Sequence, residues 1–196
     1  MFHNPEAKKD DLVERRDREK NKYFECYNLQ TYRMGADRHD RARRCLASIK
    51  GPESYLDVGC GRGEMLDDAR KLGFNAVIGV EVVDYLVNED QGVVKGEAYN
   101  LPFTDGSFQV VSLFDVIEHL LPDDAEPTCR ELERVAYQTI FITANNRPSV
   151  DRGVELHINR LPYDEWDAFF HEVFSGRVTW MKELSSISET WRIDFE

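Results

Sequence analysis

The sequence predicts an α/β fold: a mostly parallel, seven-stranded sheet covered by helices, with an antiparallel hairpin at its edge and an N-terminal helical arm. Three observations predict it. From Ser54 onward, short β-rich runs alternate with stretches of helical periodicity, the pattern of strand–helix–strand units. A glycine-rich turn, "GCGRG", sits directly between the first such run and the first helical stretch, where doubly wound sheets bend around a ligand. The last two strand-like runs lie close together in the chain, which favours an antiparallel pair over a parallel crossover.

Each element has its own justification. The opening "AKKDDLVERRDREKNKYF" alternates charge with few apolar side chains, which predicts a solvated helix or mobile arm with no core of its own. In "ADRHDRARRCLASI", Ala42, Cys45, Leu46 and Ile49 recur at helical spacing before Gly51-Pro52 ends the run, so this helix docks on the body. Strands are predicted at "SYLDV", "AVIGVE", "VVKGEA", "FQVVSLF", "TIFITA", "RVTWMKE" and "ETWRIDF". Helices are predicted near 63–73, 123–136 and 162–172, the last opened by Pro162. Within it, Trp166, Phe169 and Phe170 stand at the spacing of a packing face. Residues 1–50 thus divide off as an arm or lid, and 51–196 as the ligand-binding domain.

At 196 residues the chain suits one core with an accessory arm. No run approaches the roughly 20 apolar residues of a membrane span, and "MFHNPEAKKDD" lacks the apolar centre of a secretion signal. A cytoplasmic protein with no membrane partner is therefore expected. Cys26, Cys45, Cys60 and Cys129 are scattered without a CxxC pair, which excludes a zinc ribbon and disfavours a disulfide scaffold. The net charge of −12 is unevenly divided: residues 1–50 carry +4 and residues 51–196 carry −16. An acidic body disfavours long nucleic acids. The basic arm leaves two readings open, local recruitment of a phosphate-bearing substrate or a plainly solvated segment.

The stretch "YLDVGCGRGEML" carries the most chemistry. Gly59, Gly61 and Gly63 follow a buried strand and precede a helix, so the backbone can turn sharply and lie against a ligand. The spacing is wrong for a dinucleotide, because the sixth position is Glu64 and would repel a pyrophosphate. No Gly-Lys-Ser/Thr phosphate loop occurs. What remains is a ligand with an adenosine-like part and no phosphate. Glu81 ends the next strand, 18 residues beyond Gly63, where an acid accepts hydrogen bonds from ribose hydroxyls. Glu97 and Ala98 follow the third strand in "GEAYNLPFTDGSFQVV", a carboxylate and a backbone N–H that suit the edge of an adenine.

Together "LDVGCGRG", the acid in "GVEVVD", "GEAYNLPFTDGSFQVV" and "DVIEHL" resemble the class I S-adenosylmethionine-dependent methyltransferases over about residues 54–145. Within that superfamily the chain is most similar to the broad group containing the ubiquinone and menaquinone biosynthesis methyltransferases. The resemblance implies a Rossmann-like doubly wound fold with S-adenosyl-L-methionine as cofactor. It implies that Asp57, Gly59, Gly61 and Gly63 face the methionyl part, Glu81 the ribose, Glu97 and Ala98 the adenine, and Phe114 and Asp115 the reactive side. The chain departs from the pattern after Glu81, where only "VVDYLVNEDQG" separates two strands and the usual helix is shortened.

Methyl transfer needs a positioned acceptor, and a base only where the acceptor must lose a proton. Glu118 and His119, after the fourth strand, and His157, after the fifth, are the candidate catalytic residues. A helix cap or a bond to a carbonyl is the structural alternative for each histidine. With Asp115 they are also similar to the metal positions of small-RNA 2′-hydroxyl methyltransferases and some ubiquinone-pathway O-methyltransferases. The family's two glutamates ahead of the histidine are not both present, Asp115 standing in for the first, so no metal is assigned. Asn145, Asn146, Arg147, Arg152 and Arg160 are candidate acceptor contacts, and Tyr27, Tyr32 and Arg33 candidate lid residues. The expected reaction is methyl transfer to a small-molecule or sugar-like acceptor. The alternatives are a cofactor-binding module without turnover, metal-assisted O-methylation of RNA termini, and another adenosine-using enzyme on the same scaffold.

Overall fold

The computed structural model describes residues 5–28, 36–182 and 188–195. Helices α1 (Pro5–Asn28) and α2 (Ala36–Ala47) precede strand β1 (Ser54–Val58), helix α3 (Glu64–Lys71), β2 (Ala76–Glu81), β3 (Val93–Lys95) and β4 (Phe108–Leu113). Then come α4 (Pro122–Val135), β5 (Ala136–Ala144), the short strands β6 (Val150–Asp151) and β7 (Val154–Glu155), α5 (Tyr163–Val173), β8 (Arg177–Trp180) and β9 (Glu189–Asp194). The seven-stranded sheet has the order β3-β2-β1-β4-β5-β9-β8. Strands β1 to β5 run parallel, and β9 pairs antiparallel with both β5 and β8. Strand order reverses between β1 and β4, so a crevice opens at the carboxyl ends of these two strands.

Both faces of the sheet are covered, which is why its central strands read as continuous apolar runs. Alternate residues serve opposite layers. Tyr55, Val110 and Phe141 pack with Ala42, Cys45, Leu46, Met65 and Ala69 of α2 and α3. Leu56, Val111, Ile140 and Ile142 pack with Cys129, Leu132, Trp166 and Phe170 of α4 and α5. The docking of α2 and the packing role of Trp166 and Phe170 agree with their spacing. All four cysteines are buried thiols. Among the described residues no helix is long and apolar enough to cross a membrane.

Three differences from the sequence reading have local causes. Strand β3 stops at Lys95, so Glu97 and Ala98 lie in the turn beyond it, with Gly96 N–H still donating to the Glu81 carbonyl at 3.2 Å. The shortened link after Glu81 forms two 3₁₀ turns, Asp84–Leu86 and Glu89–Gln91. The β6–β7 hairpin went unrecognised because Arg152, with φ 47°, precedes Gly153, with φ 84°, in a two-residue turn where Asn or Asp usually signals the first position. Tyr32, Arg33 and the predicted strand end at Glu183 lie outside the described residues.

The larger correction concerns the arm. Helix α1 does not stand apart in solvent: it lies across the crevice, and Arg16, Glu19, Lys20, Tyr23 and Tyr27 line the cavity beneath it.

Candidate active site

The cavity starts where β1 ends. Gly59, Gly61 and Gly63 adopt φ values of 75°, 54° and 79°, a region that side chains strain to enter. At Gly59 the second reason is space, since a Cβ there would meet Val116 Cγ2 at 2.5 Å. The N–H groups of Gly59 and Cys60 donate to the Val80 carbonyl at 2.8 and 3.1 Å, which locks the turn against the end of β2. Gly63 then caps α3 in the left-handed region.

Glu81 completes this lock. Its Oε2 accepts from Gly61 N–H at 2.8 Å, and its Oε1 accepts from Val82 and Val83 N–H at 2.8 and 3.0 Å. A carboxylate offers about four lone-pair positions, so capacity for a ligand hydroxyl remains. Burial holds the Glu81 carboxyl above the usual carboxylate range, and these three N–H groups oppose that shift. Behind the loop, Asp57 accepts from Ser112 Oγ at 2.6 Å, and the same hydroxyl lies 2.6 Å from Tyr55 Oη. Desolvation raises the Asp57 carboxyl to about 7.

The opposite wall comes from the end of β4. Phe114, Asp115, Val116 and His119 line the cavity. Asp115 sits at φ 55°, and its N–H is held by Thr143 Oγ1 at 2.8 Å. Behind it, Glu118, His119 and His157 are all buried, with donor atoms within 4.8 Å of one another. His157 Nδ1 lies 2.7 Å from the Arg147 carbonyl. A carbonyl only accepts, so Nδ1 carries the proton and Nε2 is the basic nitrogen of the neutral ring. His119 Nδ1 lies 2.6 Å from Tyr23 Oη and 3.1 Å from the Leu156 carbonyl, to which Tyr23 donates at 3.2 Å. Protonated Nδ1 allows two hydrogen bonds in this triangle and unprotonated Nδ1 only one. His119 therefore also has Nε2 as its basic nitrogen.

Helix α1 supplies the roof. Arg16 donates to both carboxylate oxygens of Asp124 at 3.0 and 3.1 Å and covers the Tyr99 ring at 3.9 Å. Lys20 pairs with Glu97 at 3.7 Å, and Arg15 pairs with Asp123 at 3.0 Å. A Cβ on Gly61 would meet Tyr27 Oη at 2.6 Å. Positions 16, 20, 23 and 27 share one helical face, and that face is polar. The cations of the arm are thus directed at carboxylates of the body.

Among the sequence-predicted residues, Gly59, Gly61, Glu81, Glu97, Ala98, Phe114, Asp115 and His119 meet in this cavity. Asp57, Gly63, Glu118 and His157 stand behind its surface rather than along it. Asn145 is turned onto its own loop, its Oδ1 accepting from Arg147 N–H at 2.9 Å. Arg152 and Arg160 face Asp151 and Glu155. Sequence reasoning missed Arg16, Lys20, Tyr99 and Asp124. For Arg16 and Lys20 the signal was the shared face of positions 16, 20, 23 and 27, which a search for apolar periodicity passes over.

A crevice at the strand-order switch, a bare glycine turn and a buried acid at the end of β2 define a nucleoside-binding α/β domain. Residues 56–139 match the family described as Methyltransferase domain. The chain is 34% identical over 100 residues to norajmaline N-methyltransferase of Rauvolfia serpentina, covering 44% of this chain and 33% of that protein. It is 24% identical over 97 residues to the eEF1A lysine and N-terminal methyltransferase of Mus musculus, covering 44% of this chain and 14% of that one. The chain therefore spans a third or less of the length of these curated relatives. In fold it matches the Burkholderia thailandensis 1,6-didemethyltoxoflavin-N1-methyltransferase, solved with S-adenosylhomocysteine, with a TM-score of 0.61 at 12% identity over 99% of this chain and 91% of that one. Over residues 56–139 the chain is thus similar to the methyltransferase-domain family, and its fold is that of S-adenosylmethionine-dependent methyltransferases of known structure.

The Asp57 network has a measurable consequence. The folded chain favours protonated Asp57, so its contribution to stability is in place below about pH 4 and is lost as pH rises through about 7. Asp57→Asn cannot ionise. In urea titrations it is expected to gain on the wild type by on the order of 3 kcal/mol between about pH 4 and pH 8. A constant difference across that range would remove Asp57 as the titrating group.

Proposed function

We propose that this protein transfers a methyl group from S-adenosylmethionine to a small-molecule or sugar-like acceptor, with residues 1–50 as the lid and 51–196 as the cofactor-binding domain. The observation that carries the reading is the hydrogen bond from Gly61 N–H to Glu81, because it builds a bare backbone turn and a carboxylate into one wall of the cavity that Phe114, Asp115 and His119 face. The residues fit the cofactor. Gly59 and Gly61 lie at positive φ and line the cavity, so their backbone takes the methionyl part, which Asp57 and Gly63 support from behind. Glu81 receives the ribose hydroxyls, while Glu97 and the Ala98 N–H take the adenine edge.

When bound, the cofactor supplies an electrophilic sulfonium methyl group for in-line displacement. The protein's part is to hold the acceptor in line, exclude water and receive a proton. His119 fits the last role, since its Nε2 is the basic nitrogen and its ring lines the cavity. A carboxylate beside an imidazole favours its charged form, and Glu118 is buried next to this ring, as is His157.

A second reading has its own support in the Glu118, His119 and His157 donor atoms. Ligands of one divalent ion at about 2.1 Å lie roughly 3 to 4 Å apart, so these groups would close on an ion with small shifts. In both histidines Nδ1 is bonded to a backbone oxygen, the outer bond that metal-bound histidines make. The reaction would then be metal-assisted O-methylation, RNA termini among its acceptors, although a body charge of −16 disfavours long polyanions.

Calorimetry with S-adenosylhomocysteine tests the pocket: the wild type is expected to bind, and Glu81→Gln to bind at least about tenfold more weakly. Equal affinities would remove Glu81 from the site. Untargeted mass spectrometry of metabolites and RNA incubated with protein and cofactor is expected to show the gain of one methylene. Cofactor binding with no such gain would favour a module without turnover. Titration with Mn²⁺ alone separates the two chemistries: binding that His157→Ala abolishes supports the metal reading, and no binding removes it.

A further inference from the structure

We propose that Asp115 reads the charge at the cofactor's sulfur, favouring the sulfonium donor over the thioether product, and that Thr143 is the positioning residue that holds it in place. This role rests on the cofactor reading above and adds to it a means of telling the donor from its spent product. The two molecules share adenine, ribose and the amino-acid end. They differ by one methyl group and one positive charge, so a carboxylate near the sulfur separates them where contacts to the shared parts do not.

The sulfur joins the methionyl chain to the ribose, so it lies between the groups that take those two parts. In this cavity those groups touch, because Gly61 N–H donates to Glu81 at 2.8 Å. The turn after β4 stands against the same loop, close enough that a Cβ on Gly59 would meet Val116 Cγ2 at 2.5 Å. Asp115 precedes Val116 and lines the cavity. The other carboxylates of the lining stand elsewhere. Glu81 and Glu97 go to the ribose and the adenine in this reading, Asp124 on α4 meets Arg16, Glu19 on α1 pairs with Lys22, and Glu64 opens α3.

Asp115 does not take this place by default. Its φ of 55° lies in the left-handed region, which a residue with a Cβ enters at a cost and keeps only where its surroundings hold it. The β4–β5 ladder ends at Leu113 and Ile142, so strand pairing does not serve the Asp115 N–H. The Thr143 hydroxyl does, accepting from it at 2.8 Å. Thr143 is 1% exposed and stands opposite Thr190 in the β5–β9 ladder, so the central sheet fixes that oxygen. Without the hydroxyl, the amide would lose this bond and the turn a restraint that keeps it in the left-handed region.

Two ligands measured on the same full-length protein separate charge reading from folding. Calorimetry gives a Kd for S-adenosylmethionine and one for S-adenosylhomocysteine, and a loss of folded protein common to both leaves their ratio unchanged. Asp115→Asn removes the charge and keeps a residue type that tolerates positive φ. It is expected to weaken S-adenosylmethionine at least about tenfold and S-adenosylhomocysteine by less than about threefold. Thr143→Val keeps the shape without the hydroxyl and is expected to move the ratio the same way by about threefold or more. Thr143→Ser, which retains a hydroxyl, is expected to restore it. The Thr143 pair keeps the test intact should Asp115→Asn fold poorly. An unchanged ratio in Asp115→Asn, whether or not both affinities fall, would make Asp115 a contact of the shared parts or of the fold and overturn the charge reading. A wild-type ratio in Thr143→Val would overturn the positioning role. Failure of the wild type to bind either ligand would instead remove the cofactor reading beneath both.

Discussion

The site depends on one constraint: the Glu81 carboxylate, fixed at the end of β2, holds the Gly61 N–H of the loop that follows β1. Parallel pairing of the two strands brings their carboxyl ends side by side, and the backbone bonds from Gly59 and Cys60 to Val80 complete the junction. A side chain on Gly59 would press on Val116, so the loop would move off the β4 end and the cavity would lose the relation between its two walls. The polar groups involved are buried, and each bond counts for more in that setting than it would in water.

Charge gives the second level of organisation. A basic arm and an acidic body suggest, on composition alone, either recruitment of a polyanion or a solvated tail. In the folded chain the opposite charges face each other across the cavity mouth, at Arg15–Asp123, Arg16–Asp124 and Lys20–Glu97. Helix α1 is thus matched to the body by electrostatics at this face.

The acceptor side follows another logic. His119 and His157 come from turns after different strands, and each directs Nδ1 at backbone carbonyls, with Tyr23 of the roof sharing the bond to Leu156. The ring orientations are therefore set by main chain that the sheet itself positions. Both rings are buried beside Glu118. The proposed proton acceptance and the proposed metal ligation both start from that arrangement, and the acceptor's chemistry distinguishes them.

Taken alone, the sequence determined those features that arise between near neighbours along the chain. Strand–glycine–helix, the acid at the end of the next strand, the packing faces of α2 and α5 and the edge hairpin all follow from local spacing and burial period. Tertiary structure alone decided the roof. Arg16 and Asp124 are 108 residues apart, and the face of α1 that meets the cavity is polar, so hydropathy described that helix as solvated. The β6–β7 turn was hidden by an arginine at positive φ in the position where Asn or Asp is usual. Apolar patterns announce burial because water excludes them in any context. A polar face is buried only where complementary charges have already been assembled, and no local run of residues contains that information.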